Sequence, residues 1–330
     1  MNGIHAENSK TLIGVLASHD SGDRNNALAR LFEHLHKAHR AKLQWFHFLF
    51  TGGTWDRLSR GSTDPEVTPI ALKTQQFLVK KCGVTYLPSR RDGGVTIMAN
   101  LIVQQACGIL WPFLTPLTSH WLNPENLALL RLSDHWHVKK LMNEGSVEEW
   151  IGAEAHIDCK RNLREIPPRV ELFQDDLLPP EKQPNGTFKF ERQATAFPKT
   201  IQDMTIALIA HNEMKDRMIE FAIDFERELS RFKHILSTGT TGREVAANTR
   251  ILHDKIYRYR SGPKGGDIEI ANQILFGRCH VVIFFIDPLN PHPHIEDIRV
   301  VLGACMLQPN VRMLTNESQA REWMRRVVRG

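Results

Sequence analysis

The chain has 330 residues, 42% of them hydrophobic and 24% charged, and 42 basic against 37 acidic side chains leave a net charge of +5. That length suits two domains that each bury a core, and the composition is that of a soluble globular protein rather than a disordered or fibrous one. No apolar run approaches the ~20 residues that span a bilayer, and so small a basic excess fits anionic small ligands as easily as nucleic acid; neither a membrane nor a nucleic-acid partner is expected.

The start, MNGIHAENSK, lacks the apolar stretch of a signal peptide, and a cytoplasmic location is expected. A first apolar strand follows in IGVLASHD (13–20), then FTGGTW (50–55) and YLPSRRDGGVTIMAN (86–100). Residues 151–200 hold six prolines and little periodicity, which reads as an extended linker. Beyond it, strands are expected at 205–210, 233–238, 256–261, 280–286 and 311–314. Helices are expected near 215–230, 242–249, 267–277, 295–307 and 317–328. Continuous apolar strands such as VVIFFI (281–286) suit a sheet covered on both faces. Strand and helix alternate, which gives an α/β, doubly wound parallel-sheet, Rossmann-type domain. The five cysteines (82, 107, 159, 279, 305) are scattered without a C-x-x-C pair, so buried reduced thiols are expected, with no metal and no cofactor.

The two halves repeat each other. Ser89 aligns with Ser261, Gly93-Gly94 with Gly265-Gly266 and Ala99-Asn100 with Ala271-Asn272, all at an offset of 172. FTGGTW aligns with STGTTG (237–242) at 187, and IGVLASHD with IALIAHNE (206–213) at 193. Self-similarity at this length means two copies of one domain, 11–150 and 201–330, around the linker.

In the second copy every motif sits after a predicted strand, where open α/β sheets bind ligands. STGTTG brings backbone N–H groups and the hydroxyls of Thr238, Thr240 and Thr241 toward an anion, although such turns are common without a ligand. Lys215 can add a point charge, or stand solvated. In SGPKGGD (261–267), the two glycines before Asp267 permit a tight approach of backbone and carboxylate to a ligand, while capping of the next helix would explain the aspartate equally well. In DPLNPHPHIED (287–297), His294 and Asp297 share one side of a first helical turn. The pair His292 and His294 suggests a metal, but no third ligand pattern accompanies it.

These four motifs, in this order over residues 205–316, resemble the methylglyoxal synthase family. The resemblance implies removal of a carbon-bound proton from dihydroxyacetone phosphate and expulsion of inorganic phosphate. It makes Asp267 the general base, and His294, Asp297 and His211 active-site groups. Lys215, Thr238, Thr240, Thr241, Ser261 and Gly262 then hold the phosphate, with Asn212 and Asp287 in support. It also implies a homo-oligomer. The residue types fit this chemistry, because a desolvated carboxylate can take the proton and a histidine can serve the developing oxyanion. Two departures stand out: Asn212 replaces the family's aspartate, and the family's tail arginine has no counterpart. In the first copy Val95 stands at Asp267, Leu122 at His294, Glu125 at Asp297 and Thr115 at Asp287, so that copy lacks a base. The competing reading is a non-catalytic protein that senses phosphorylated ligands, for which the retained Asp267, His294 and Asp297 have no use.

Overall fold

The computed structural model describes residues 10–17, 22–60, 69–114, 123–156, 181–182, 188–189, 198, 200–287, 289 and 294–329. The chain divides into two compact units, Met1–Glu191 and Arg192–Gly330. The first contains β1 (Thr11–Ala17), α1 (Gly22–Ala38), α2 (Arg40–Leu43), β2 (Phe46–Thr51), α3 (Gly52–Arg60) and α4 (Leu72–Phe77). It continues with β3 (Val84–Leu87), α5 (Gly94–Val103), β4 (Ile109–Phe113), α6 (Pro124–His135), β5 (Lys139–Lys140) and α7 (Glu144–Ala153). Two short strands, β6 (Glu181–Lys182) and β7 (Phe188–Lys189), pair antiparallel in the stretch expected to be a linker. Helix α7 runs to Ala153, and Ile151 and Ala155 are buried in the first core, so these residues pack with the first unit.

The second unit contains β8 (Thr205–Ala210), α8 (Lys215–Asp224), α9 (Glu226–Leu229), β9 (His234–Ser237), α10 (Gly239–Asn248) and β10 (Ile256–Arg258). Then come α11 (Gly266–Leu275), β11 (Val281–Phe285), α12 (Ile295–Leu307), β12 (Arg312–Leu314) and α13 (Glu317–Arg329). Its sheet is parallel in the order β10-β9-β8-β11-β12, and the first unit has the same order, β3-β2-β1-β4-β5. The registers also match: Val15 pairs with Phe50 where Leu208 pairs with Ser237, and Ile13 with Ile109 where Ile206 pairs with Val281. In each unit the chain leaves the central strand in one direction and returns on its other side. This creates a switch point between β8 and β11 at the strands' carboxyl ends.

Burial explains the strands. β8 and β11 are buried along their whole lengths, as a sheet covered on both faces requires. Phe221 and Phe285 meet edge to face at 5.6 Å in the second core, and Phe32, Phe48 and Trp111 cluster within 5.4–5.8 Å in the first. Cys82, Cys107, Cys279 and Cys305 are free and buried; burial pushes the Cys107 thiol up to about 11 and that of Cys305 to about 12, as expected of inert core thiols. Cys159 lies outside the described residues.

Main chain packs closely against the glycine pair in both units. Gly93 and Gly265 have φ of 90° and 100°, a left-handed conformation that admits glycine at little cost. A Cβ on Gly94 would lie 1.9 Å from the Pro88 carbonyl oxygen, and one on Gly266 1.9 Å from that of Arg260. Main chain cannot yield as a flexible side chain does. Gly266→Ala and Gly94→Ala are therefore expected to destabilise their units by ~3 kcal/mol or more. Chemical denaturation of the full chain measures this, and an unshifted midpoint would contradict the close packing.

Candidate active site

The site forms where the loops after β8, β9, β10 and β11 converge. At its centre His294 Nε2 lies 3.4 Å from Asp267 Oδ2, with the two side chains 16% and 3% exposed. Asp267 is the second residue of α11, whose N-terminal cap is Gly265 and carries no side-chain capping bond. Asp267 is thus not the residue at the cap position, and its Oδ2 lies beside His294 Nε2. Gly262 lies against both groups, since a Cβ there would sit 2.8 Å from Asp267 Oδ2 and 2.9 Å from His294 Nε2. Only a residue without a side chain allows this approach.

His294 immediately precedes α12, and its carbonyl accepts the Asp297 N–H at 3.0 Å. Asp297 is fully buried beneath it in the first turn. On the other side of the switch point, the His211 N–H donates to the Phe285 carbonyl at 3.1 Å, tying the ends of β8 and β11. The Asp287 N–H donates to His211 Nδ1 at 2.8 Å. A neutral His211 ring thus carries its proton on the buried Nε2 and is a donor there. The ring edge also meets Phe284 at 5.1 Å, which further fixes its plane. The Asp287 carboxylate accepts the Leu289 N–H at 3.0 Å, so it shapes the loop it begins. Asn212 is exposed at the start of the short turn Asn212–Met214.

The threonine segment differs from its expected form. Helix α10 begins at Gly239 rather than at 242, so Gly239, Thr240 and Thr241 form its first turn. The Thr238 carbonyl accepts the Gly242 N–H at 2.8 Å, and the buried Thr238 and Thr241 hydroxyls meet at 3.2 Å. Thr240 is left half-buried between them. The Gly239 N–H donates to the Arg260 carbonyl at 2.8 Å, which joins this turn to the Ser261–Gly262 segment. Lys215, the first residue of α8, reaches the same helix, with Nζ 3.9 Å from Glu244 Oε1. Among the described residues no group of three histidine, cysteine or carboxylate side chains could hold a metal ion. His292 lies outside them.

One pair escaped the sequence. Glu269 is 3% exposed and accepts the Arg260 N–H at 2.8 Å with one oxygen and the Arg260 guanidinium at 2.6 Å with the other. It clamps the strand end before Ser261 to the helix that carries Asp267. A carboxylate inside a helix whose residues are all buried was the available signal.

No helix among the described residues is long and apolar enough to cross a membrane. No protein-family model matches the chain. It is 45% identical over 119 residues to a methylglyoxal synthase of Clostridium perfringens, covering 36% of this chain and 95% of that protein. It is 39% identical over 122 residues to the methylglyoxal synthase of Moorella thermoacetica, covering 37% of this chain and 91% of that protein. The crystal structure of methylglyoxal synthase from Elizabethkingia anophelis NUHP1 matches 38% of this chain and 79% of that one, at 29% identity and a TM-score of 0.34.

Proposed function

The chain belongs, over about a third of its length, to the methylglyoxal synthase family, and from that premise we propose that its second unit converts dihydroxyacetone phosphate to methylglyoxal and inorganic phosphate. The observation that carries this reading is the buried Asp267–His294 contact over Gly262. A binding pocket has no need of a desolvated carboxylate beside an imidazole, whereas proton abstraction next to a carbonyl needs both.

In this mechanism Asp267 takes a proton from the hydroxymethyl carbon, and the electron pair moves onto the carbonyl oxygen. His294, and His211 through its Nε2–H, donate toward that oxygen as charge develops. Asp297, buried under the His294 turn, holds the loop in place. A histidine then carries the hydroxyl proton of the deprotonated carbon to the former carbonyl oxygen, and the oxygen left negative pushes out the phosphate across the new double bond, breaking the C–O bond. The enol that remains takes a proton at carbon to give methylglyoxal, so one substrate yields two products with no other reactant. Lys215, Thr240, Ser261 and the Gly262 N–H receive the phosphate, with Thr238 and Thr241 setting the turn. The first unit is a second copy of the same domain, in which Val95 replaces the base. Assembly into a homo-oligomer accompanies this reading.

Turnover of dihydroxyacetone phosphate by the full chain, with methylglyoxal and phosphate formed in equal amounts, tests the proposal; no turnover would refute it. Lys215 sits near Glu244, so its charge is restrained at the site before any ligand arrives. Lys215→Ala removes a charge-assisted contact of ~1.5–3 kcal/mol, and phosphate affinity is expected to fall about tenfold to a hundredfold. Calorimetric titration with phosphate measures it, and an unchanged affinity would place the phosphate elsewhere.

A further inference from the structure

In the first unit the half-buried Arg57 has no carboxylate opposite it among the described residues. Arg57 is the sixth residue of α3, as Glu244 is of α10. The equivalence holds in space as well as in sequence. The Gly52 N–H donates to the Pro88 carbonyl at 3.1 Å, as the Gly239 N–H does to that of Arg260 at 2.8 Å. The Thr51 and Thr54 hydroxyls meet at 2.8 Å, as those of Thr238 and Thr241 do at 3.2 Å. The main chain of the turn is therefore kept, with Gly53 in the place of Thr240, while its charges are exchanged. The second unit places Lys215 against Glu244. The first has Gly22 aligned with Lys215, and Arg57 in the place of the carboxylate.

Arg57 is half-buried, and its NH1 nitrogen is fully buried without a hydrogen-bond acceptor among the described residues. Burial lowers its pKa, and no carboxylate opposes that effect. The neighbouring acid, Asp56, is instead under the influence of Arg60. A guanidinium nitrogen held out of water without an acceptor is costly unless an anion visits it. The adjoining catalytic position has changed in the same sense. Gly262, which lies against Asp267 and His294, corresponds to Arg90, and the buried Val95 replaces Asp267.

We propose that the first unit binds a phosphate-bearing small molecule at the Thr51–Thr54 turn, with Arg57 as its cation, and holds it without chemistry because Val95 stands in the place of the base. Arg57 supplies the charge that Lys215 supplies in the second unit, from the opposite helix. This site does not depend on turnover in the second unit.

The test is calorimetric titration of the full chain with inorganic phosphate. Wild type is expected to bind two phosphate ions per chain, Lys215→Ala to keep one strong site, and Arg57→Met to lose that same site. Loss of the guanidinium is expected to weaken the first-unit site about tenfold to a hundredfold. Arg57→Lys, which keeps the charge, is expected to restore much of the binding. Two outcomes would overturn the proposal: no phosphate binding left in Lys215→Ala, or full binding at both sites in Arg57→Met. The first needs no Arg57 variant, so it stands even if substitution there disturbs folding.

Discussion

Asp267→Asn is expected to lower turnover of dihydroxyacetone phosphate by about 10²–10⁴-fold, the range for loss of a positioned general base. The amide has the carboxylate's shape and keeps the approach of Gly262 and His294, which are held by main-chain bonds on their own segments. It cannot accept a proton from carbon. Phosphate affinity is expected to change little, because Lys215 and the Thr238–Thr241 turn sit on other elements. This pairing separates a base from a binding group. Steady-state kinetics and phosphate titration on one preparation measure both, and turnover within tenfold of wild type would remove Asp267 from the role. Loss of both turnover and phosphate binding would instead indicate that the carboxylate holds the loops together.

Much of this site was legible because the chemistry sits at strand ends, and strands declare themselves by unbroken apolar runs. VVIFFI and TIALIA could only be buried strands, and the residues after them had to gather at one edge of the sheet. What stayed hidden depends on contacts between segments distant in sequence. The Gly-Thr-Thr-Gly run looks like a loop by composition, since glycine and threonine are poor helix formers. It begins α10 because the Gly239 N–H finds the Arg260 carbonyl and the Thr238 carbonyl takes up the first helical bond. The Arg260–Glu269 clamp was likewise invisible, for nothing in their spacing says that one carboxylate binds both a guanidinium and the main chain before Ser261. Whether Asp267 capped a helix or served as a base could not be resolved by spacing either. Gly265 in its left-handed conformation takes the cap position, and the Asp267 carboxylate lies in the first turn beside His294.

Gly262→Ala is expected to reduce turnover about 10–100-fold while leaving the fold intact. Gly262 does not have positive φ, so alanine meets no backbone penalty there. Its methyl group would instead lie 2.8 Å from Asp267 Oδ2 and 2.9 Å from His294 Nε2, inside the contact distance of both. Either the carboxylate and imidazole move apart by a few tenths of an ångström, or the loop retreats and takes the Gly262 N–H from the phosphate. Misplacement of reacting groups by ~1 Å can cost about 10²-fold in rate, so a smaller displacement accounts for the expected range. The comparison with Gly266→Ala is informative, because there the clash is with main chain and stability fails first. The first unit supports the same logic: Arg90 stands at this position only where Val95 has replaced the aspartate. A side chain is tolerated once the pair it would collide with is gone. Kinetics beside thermal unfolding decide the matter. A melting temperature within about 3 °C of wild type, which corresponds to a loss of ~1 kcal/mol or less, should accompany the fall in kcat; wild-type kcat in Gly262→Ala would show that the close packing of Asp267 and His294 has no part in the reaction.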